Sequence, residues 1–118
     1  MRDEKPMFIQ IVEMIRDDIL AEIYQEGDLI ISTPQISKLL SVNPATAQRA
    51  ISVLSDQGII EKKRGIGMAV ACGARAAILA EQQANFHEKV VPEFIARARK
   101  IGIGGDELLK IVKESCDD

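Results

Sequence analysis

Two helix-start signatures stand almost back to back in the middle of this chain, and they restrict its fold more than any other feature. The first is Ser32-Thr33-Pro34-Gln35, where serine can cap, proline is tolerated in a first turn that needs no N–H, and Gln35 can complete a capping box. The second is Ser41-Val42-Asn43-Pro44: Asn43 can cap, Pro44 takes the first helical position and Val42 can staple to Ala47. So little chain separates them that only a short helix and a tight turn fit between. Ile36, Leu39 and Leu40 are the expected buried stripe of the first helix. In the second, Ala47, Ala50, Ile51 and Leu54 recur at helical spacing and form its core face. Ala45, Arg49, Ser52 and Asp56 then point away, with Thr46 and Gln48 on the flanks.

The flanking pattern completes a small domain. Between Pro6 and Gly27, Phe8, Ile11, Val12, Ile15, Ile19 and Ile23 step by threes and fours along one helix face, with Arg16, Asp17, Asp18 and Glu22 assigned to the other. Leu29-Ile30-Ile31 reads as a short connection or edge strand. Gly58 closes the second capped helix, and Ile59 to Lys63, a turn at Arg64-Gly65-Ile66-Gly67, and Met68 to Ala71 read as a β-hairpin. The order helix, helix, tight turn, helix, hairpin is that of a winged helix-turn-helix.

From Ala74 the chain becomes alanine-rich and helical, with Leu79, Phe86, Val90, Phe94, Ala98 and Ile101 on one stripe. Pro92 lies inside it, so a kink near residues 88 to 92 is expected. Gly102, Gly104 and Gly105 turn the chain into a last helix, Asp106 to Cys116, carrying Leu108, Leu109, Ile111 and Val112. The predicted fold is therefore mainly α with a small β-hairpin: a winged helix-turn-helix over 1–73 and a two-helix tail over 74–118.

Composition narrows the function. At 118 residues there is room for one ordinary core and an appendage, not for a two-domain catalyst. No apolar run approaches the ~20 residues of a membrane helix, and the mixed-charge start is unlike a signal peptide, so a cytoplasmic protein with no membrane partner is expected. Cys72, Cys116 and the lone His87 match no zinc spacing, and no serine has a partnered base. Neither Gly65-x-Gly67 nor Gly102-x-Gly104-Gly105 completes a phosphate-binding signature. No catalytic constellation, metal or cofactor is expected. The net charge of -3 argues mildly against a polyanion partner. Counted locally the sign reverses: residues 38 to 64 hold Lys38, Arg49, Lys62, Lys63 and Arg64 against Asp56 and Glu61, five minus two, or +3.

In a winged helix the N-terminal residues of the third helix meet base edges in the major groove, and the wing follows the backbone or the minor groove. Asn43, Ala45, Thr46, Gln48 and Arg49 hold those positions here. Arginine can donate twice to guanine, Gln or Asn can pair with adenine, and the methyls of Thr or Ala can touch thymine. Lys63, Arg64, Gly65 and Gly67 are the candidate wing contacts, and Ser32 and Thr33 candidates at the start of the second helix. The tail stripe, with Leu79, Phe86, Val90, Phe94, Ala98 and Ile101 followed by Leu108, Ile111 and Val112, cannot cover itself well. It points to a homodimer whose two heads match a pseudo-palindromic operator.

Residues 6 to 71 resemble the DNA-binding domain of GntR-family bacterial regulators. The shared features are Pro6, Gln10-Ile11, Gly27-Asp28, Val42-Asn43-Pro44, Thr46, Arg49-Ala50, Leu54, Gly58-Ile59-Ile60-Glu61 and Arg64-Gly65-Ile66-Gly67. The short tail is similar to that of the YtrA-type subfamily, which lacks a large effector domain. The resemblance implies a dimeric transcription regulator, with repression the expected sign, bound to double-stranded DNA; no small-molecule effector can be named. Two departures stand out. The arginine of the family's "L-P-S-x-R" is missing from Ile30-Ile31-Ser32-Thr33-Pro34, and Ser41 replaces a glycine before Val42. The alternative function is a protein-interaction module that does not bind DNA.

Overall fold

The computed structural model describes residues 5–117 and contains six α-helices and one hairpin in the expected order. Helix α1 spans Met7–Leu20, α2 Thr33–Leu40 and α3 Pro44–Asp56; strands β1 (Ile60–Lys63) and β2 (Gly67–Val70) form the hairpin. Helix α4 runs Ala74–Asn85, α5 Val91–Lys100 and α6 Gly105–Ser115. The chain divides into two compact units, residues 1–79 and 80–118. The first ends at Leu79 instead of residue 73 because Ala74 and Ile78 are buried in its core.

That core is aliphatic and gathers one stripe from each element. Ile11, Val12, Ile15 and Ile19 come from α1, Ile36 from α2, and Ala47, Ala50, Ile51 and Leu54 from α3. Ile60 and Val70 add the inner face of the hairpin. The α3 stripe is buried as its 3.6-residue spacing requires.

Three positions read from periodicity lie elsewhere. Helix α1 stops at Leu20 in a left-handed turn, with Glu22 at φ 64° and the Ile23 amide bonded back to Asp18 O at 2.9 Å. Ile23 is consequently outside the helix and 68% exposed. Arg16, assigned to the solvent face, is only 7% exposed. Its place four residues after Val12 and three before Ile19 sets it on the apolar side, and its Nη1 donates to Gln57 Oε1 at 2.8 Å. Leu39 is 69% exposed, because α2 packs through Thr33, Ile36, Ser37 and Leu40, an arc that leaves Leu39 beyond its edge.

The hairpin pairs Ile60 with Val70 and Lys63 with Gly67, leaving Arg64, Gly65 and Ile66 as its loop. Leu29 bridges to Ala69 on the other side of β2, and the amides of Ile30 and Val70 bond Met68 O and Asp28 O, both at 2.9 Å. The Leu29-Ile30-Ile31 stretch thus acts as the edge segment that ties the wing to the core. The Tyr24 hydroxyl accepts from the Ile31 amide at 3.1 Å and reinforces this edge.

Ahead of Pro92 the helix widens instead of breaking. Phe86–Val90 is a π-helical turn, and the Val91 amide bonds Phe86 O, five residues back. A proline ring clashes with the carbonyl four residues before it. The widened turn accommodates the ring while Val90 and Val91 keep helical angles, with φ -68° and -64°.

The second unit has a different balance. Ala98 is its one buried residue among those described, and Leu108 is half-buried, so neither is freely presented on the tail surface. Phe86, Val90, Phe94, Ile101, Leu109, Ile111 and Val112 are all exposed. Helices α5 and α6 enclose an apolar groove of about 450 Å³ between Phe94, Ile95, Leu108 and Val112. Leu79 is half-buried in the first unit and not part of this one.

Candidate nucleic-acid interface

The turn between α2 and α3 is fixed by its own side chains. Ser32 accepts from the Gln35 amide at 3.3 Å while Gln35 Oε1 accepts from the Ser32 amide at 2.9 Å, the reciprocal pair of a capping box. Asn43 Oδ1 accepts from the Ala45 amide at 2.8 Å and caps α3. Between the two, the Ser37 hydroxyl donates to Val42 O at 2.6 Å, and Ser41 sits in the left-handed region at φ 55° and ψ 46°. The glycine expected before Val42 has its physical reason here: the turn needs a conformation that glycine adopts freely and serine only with strain.

With α3 held at its start, its outer face is set. Ala45, Gln48, Arg49 and Ser52 are exposed and Thr46 is half-buried. The Thr33 hydroxyl donates to Gln48 Oε1 at 3.2 Å, linking α2 to α3, and Gln48 Nε2 reaches Ser52 Oγ at 3.5 Å. The Arg49 guanidinium lies over the Phe8 ring, 3.9 Å from its centroid. In the sequence Phe8 and Arg16 look like ordinary helix residues, one apolar and one solvated. Beside the apolar core they add two specific contacts from α1 to α3: Phe8 against Arg49, and Arg16 against the C-terminal cap Gln57. The apolar stripe signals the burial of Arg16; no sequence signal marks the stacking.

The wing brings a second set of polar and cationic groups. Lys62, Lys63, Arg64, Gly65 and Gly67 are all exposed, and so is Ile66 at the tip. Gly65 stands at φ 76° with nothing within 4 Å of where a β-carbon would sit, so backbone angle and not crowding selects glycine there. Gly67 and Ile66 line a cleft of about 480 Å³ together with Ser32 and Thr33, which sets the wing tip beside the start of α2. The expected residues of α2, α3 and the wing therefore lie on the surface of one unit, except that Thr33 and Thr46 are half-buried. Among the described residues no cluster of His, Cys, Asp and Glu could hold a metal ion, and no helix is long and apolar enough to cross a membrane.

A capped helix pair under a short basic wing defines the class: a winged helix-turn-helix regulator. Comparison with known proteins narrows it. The family described as bacterial regulatory proteins, gntR family, matches residues 9–70. The chain belongs to the GntR family, whose members are transcriptional regulators and not enzymes, and its short tail is of the YtrA type. It is 26% identical to the HTH-type transcriptional repressor YtrA of Bacillus subtilis, over 99% of this chain and 89% of that one. The structure of a GntR family transcriptional regulator from Listeria monocytogenes matches with a TM-score of 0.72 and 29% identity, covering 97% of this chain and 98% of that one. The DNA-binding domain of AraR, in complex with operator ORE1, matches with a TM-score of 0.55 and 25% identity over 60% of this chain and 89% of that one.

Proposed function

We propose that this regulator is a repressor that binds a pseudo-palindromic operator as a homodimer. Asn43, Ala45, Thr46, Gln48 and Arg49 of α3 and its cap read the major groove in each half-site. Lys63, Arg64, Gly65 and Gly67 follow the adjacent backbone or minor groove, and Ser32 and Thr33 approach phosphate at the start of α2. Occupancy of the operator, not chemistry on it, is the mechanism.

The observation that carries this reading is the exposed outer face of α3, with Gln48 and Arg49 held in place, in the same unit as an exposed cationic wing. Local charge adds to it: the stretch from Lys38 to Arg64 is +3 within a chain of -3, which favours approach to phosphate by this surface. The name of YtrA as a repressor and the AraR complex with an operator point the same way.

Dimerisation rests on the tail. Phe86, Val90, Phe94, Ile101, Ile111 and Val112 are all exposed in the second unit, and a second copy is the economical cover for them. Two heads then meet half-sites about one helical turn apart, ~34 Å. The region that dimerises is residues 80–118, with Ala98 and Leu108 supporting it from inside.

A random-sequence duplex library selected by the full-length protein, followed by mobility-shift titration of the selected duplex at two salt concentrations, tests the proposal. It predicts an inverted-repeat consensus bound tightly, with affinity falling steeply as salt rises. Failure to enrich any sequence would favour the protein-interaction alternative.

A further inference from the structure

Resting on the reading of α3 as the DNA-contacting helix, we infer that Phe8 is a positioning residue for Arg49: its ring holds the guanidinium in a DNA-ready orientation from outside the recognition helix. The guanidinium is 3.9 Å from the ring centroid, well within cation–π range. Among the described residues, no hydrogen bond or ion pair engages Arg49, so the stack is what defines where this long side chain sits.

The geometry leaves the arginine ready for use. The contact brings the guanidinium carbon over the ring, whereas its N–H donors lie in the guanidinium plane and point outward from its edge. Arg49 can therefore rest on Phe8 and still donate to a guanine edge or a phosphate oxygen. An arginine free in solvent loses rotamer freedom on binding; one already held by an aromatic ring loses less. Phe8 in turn is fixed by the core, against which it is packed half-buried near the start of α1. The second α1 contact, Arg16 with Gln57, lies at the same separation of 41 residues and anchors the far end of α3, so the two helices keep one order along their contact.

The test uses the full-length protein and the duplex selected by the wild type, with an unrelated duplex of equal length as the non-specific reference. Phe8→Leu keeps an apolar side chain against the core and removes the ring; Phe8→Tyr keeps the ring. The expected result is a loss of about twofold to tenfold per half-site in affinity for the selected duplex with Phe8→Leu, and wild-type discrimination with Phe8→Tyr. Affinity for the unrelated duplex should barely move. On an Arg49→Ala background, Phe8→Leu should add nothing, since the ring acts through the arginine. A measurement on the unmodified chain guards against a folding defect in the variants: the side-chain protons of Arg49 should show an upfield ring-current shift in the free protein that persists in the complex. Equal or tighter binding by Phe8→Leu, independent effects of the two substitutions, or loss of the ring-current shift on DNA would overturn the inference while leaving the operator reading intact. A wild-type protein that selects no duplex would overturn both.

Discussion

The two units of this chain treat their large apolar residues in opposite ways. In the first, Ile11, Ile15, Ile36, Leu54 and Ile78 are almost wholly removed from water, and the starts of α2 and α3 are fixed by the caps at Ser32 and Asn43. In the second, Phe86, Phe94, Ile101 and Leu109 face solvent and Ala98 alone is buried among the described residues. A unit that buries its stripe has a fold of its own; a unit that displays one is built to be completed. The contrast fits the proposed division of labour, in which the head binds DNA and the tail pairs two copies.

Substitution in each unit should separate these roles. The largest effect is expected from Leu54→Ala, whose side chain is fully buried in α3: a loss of about 2–5 kcal/mol in unfolding free energy, measured by denaturant titration at fixed protein concentration. An effect below 1 kcal/mol would mean that the head is not the self-sufficient unit. Next comes Phe94→Glu in the tail. It should weaken self-association by about 2–4 kcal/mol in sedimentation equilibrium, with the helical circular dichroism kept. Unchanged association would break the proposed assignment of the tail as a dimer surface.

Arg49→Ala should cost about 1–3 kcal/mol in affinity for the selected duplex and only about 0.5 kcal/mol in stability, from the lost contact with Phe8. A stability loss as large as the binding loss would make Arg49 a packing residue of the head. The smallest effect, and one of opposite sign, is expected from Ser41→Gly. It relieves the left-handed strain at φ 55° and should raise stability by about 0.5–1 kcal/mol. Because that strain sits in the turn between α2 and α3, the gain should appear in the head alone.

Much of the head was legible because each of its signals is local. The caps at Ser32 and Asn43, the stripe from Ala47 to Leu54 and the turn at Gly65 are each set by a few neighbouring residues, and each stands where the pattern put it. Three positions depart from that local pattern, each for its own reason. Helix α1 ends on a left-handed glutamate, so the glycine that usually marks such a stop is missing and Ile23 looked like one more helical position. Leu39 lies outside the buried arc because α2 is too short for periodicity to say which flank of Ile36 packs. Arg16 sat on the apolar stripe all along, but its partner Gln57 lies 41 residues away and only the tertiary fold brings them together. The Phe8 and Arg49 stack belongs to that last kind. At Pro92, where the sequence predicts a kink, the helix carries a π turn over Phe86–Val90 and continues into α5.

In the proposed dimer two heads bind one duplex, each through α3 and its wing. Hydroxyl-radical footprinting of the full-length protein on its selected duplex tests it most directly. The account predicts two protected patches related by a twofold axis, centred about 10 base pairs apart on one face of the helix. A single patch, or protection that survives unchanged when Arg49 and Lys63 are both replaced by alanine, would contradict it.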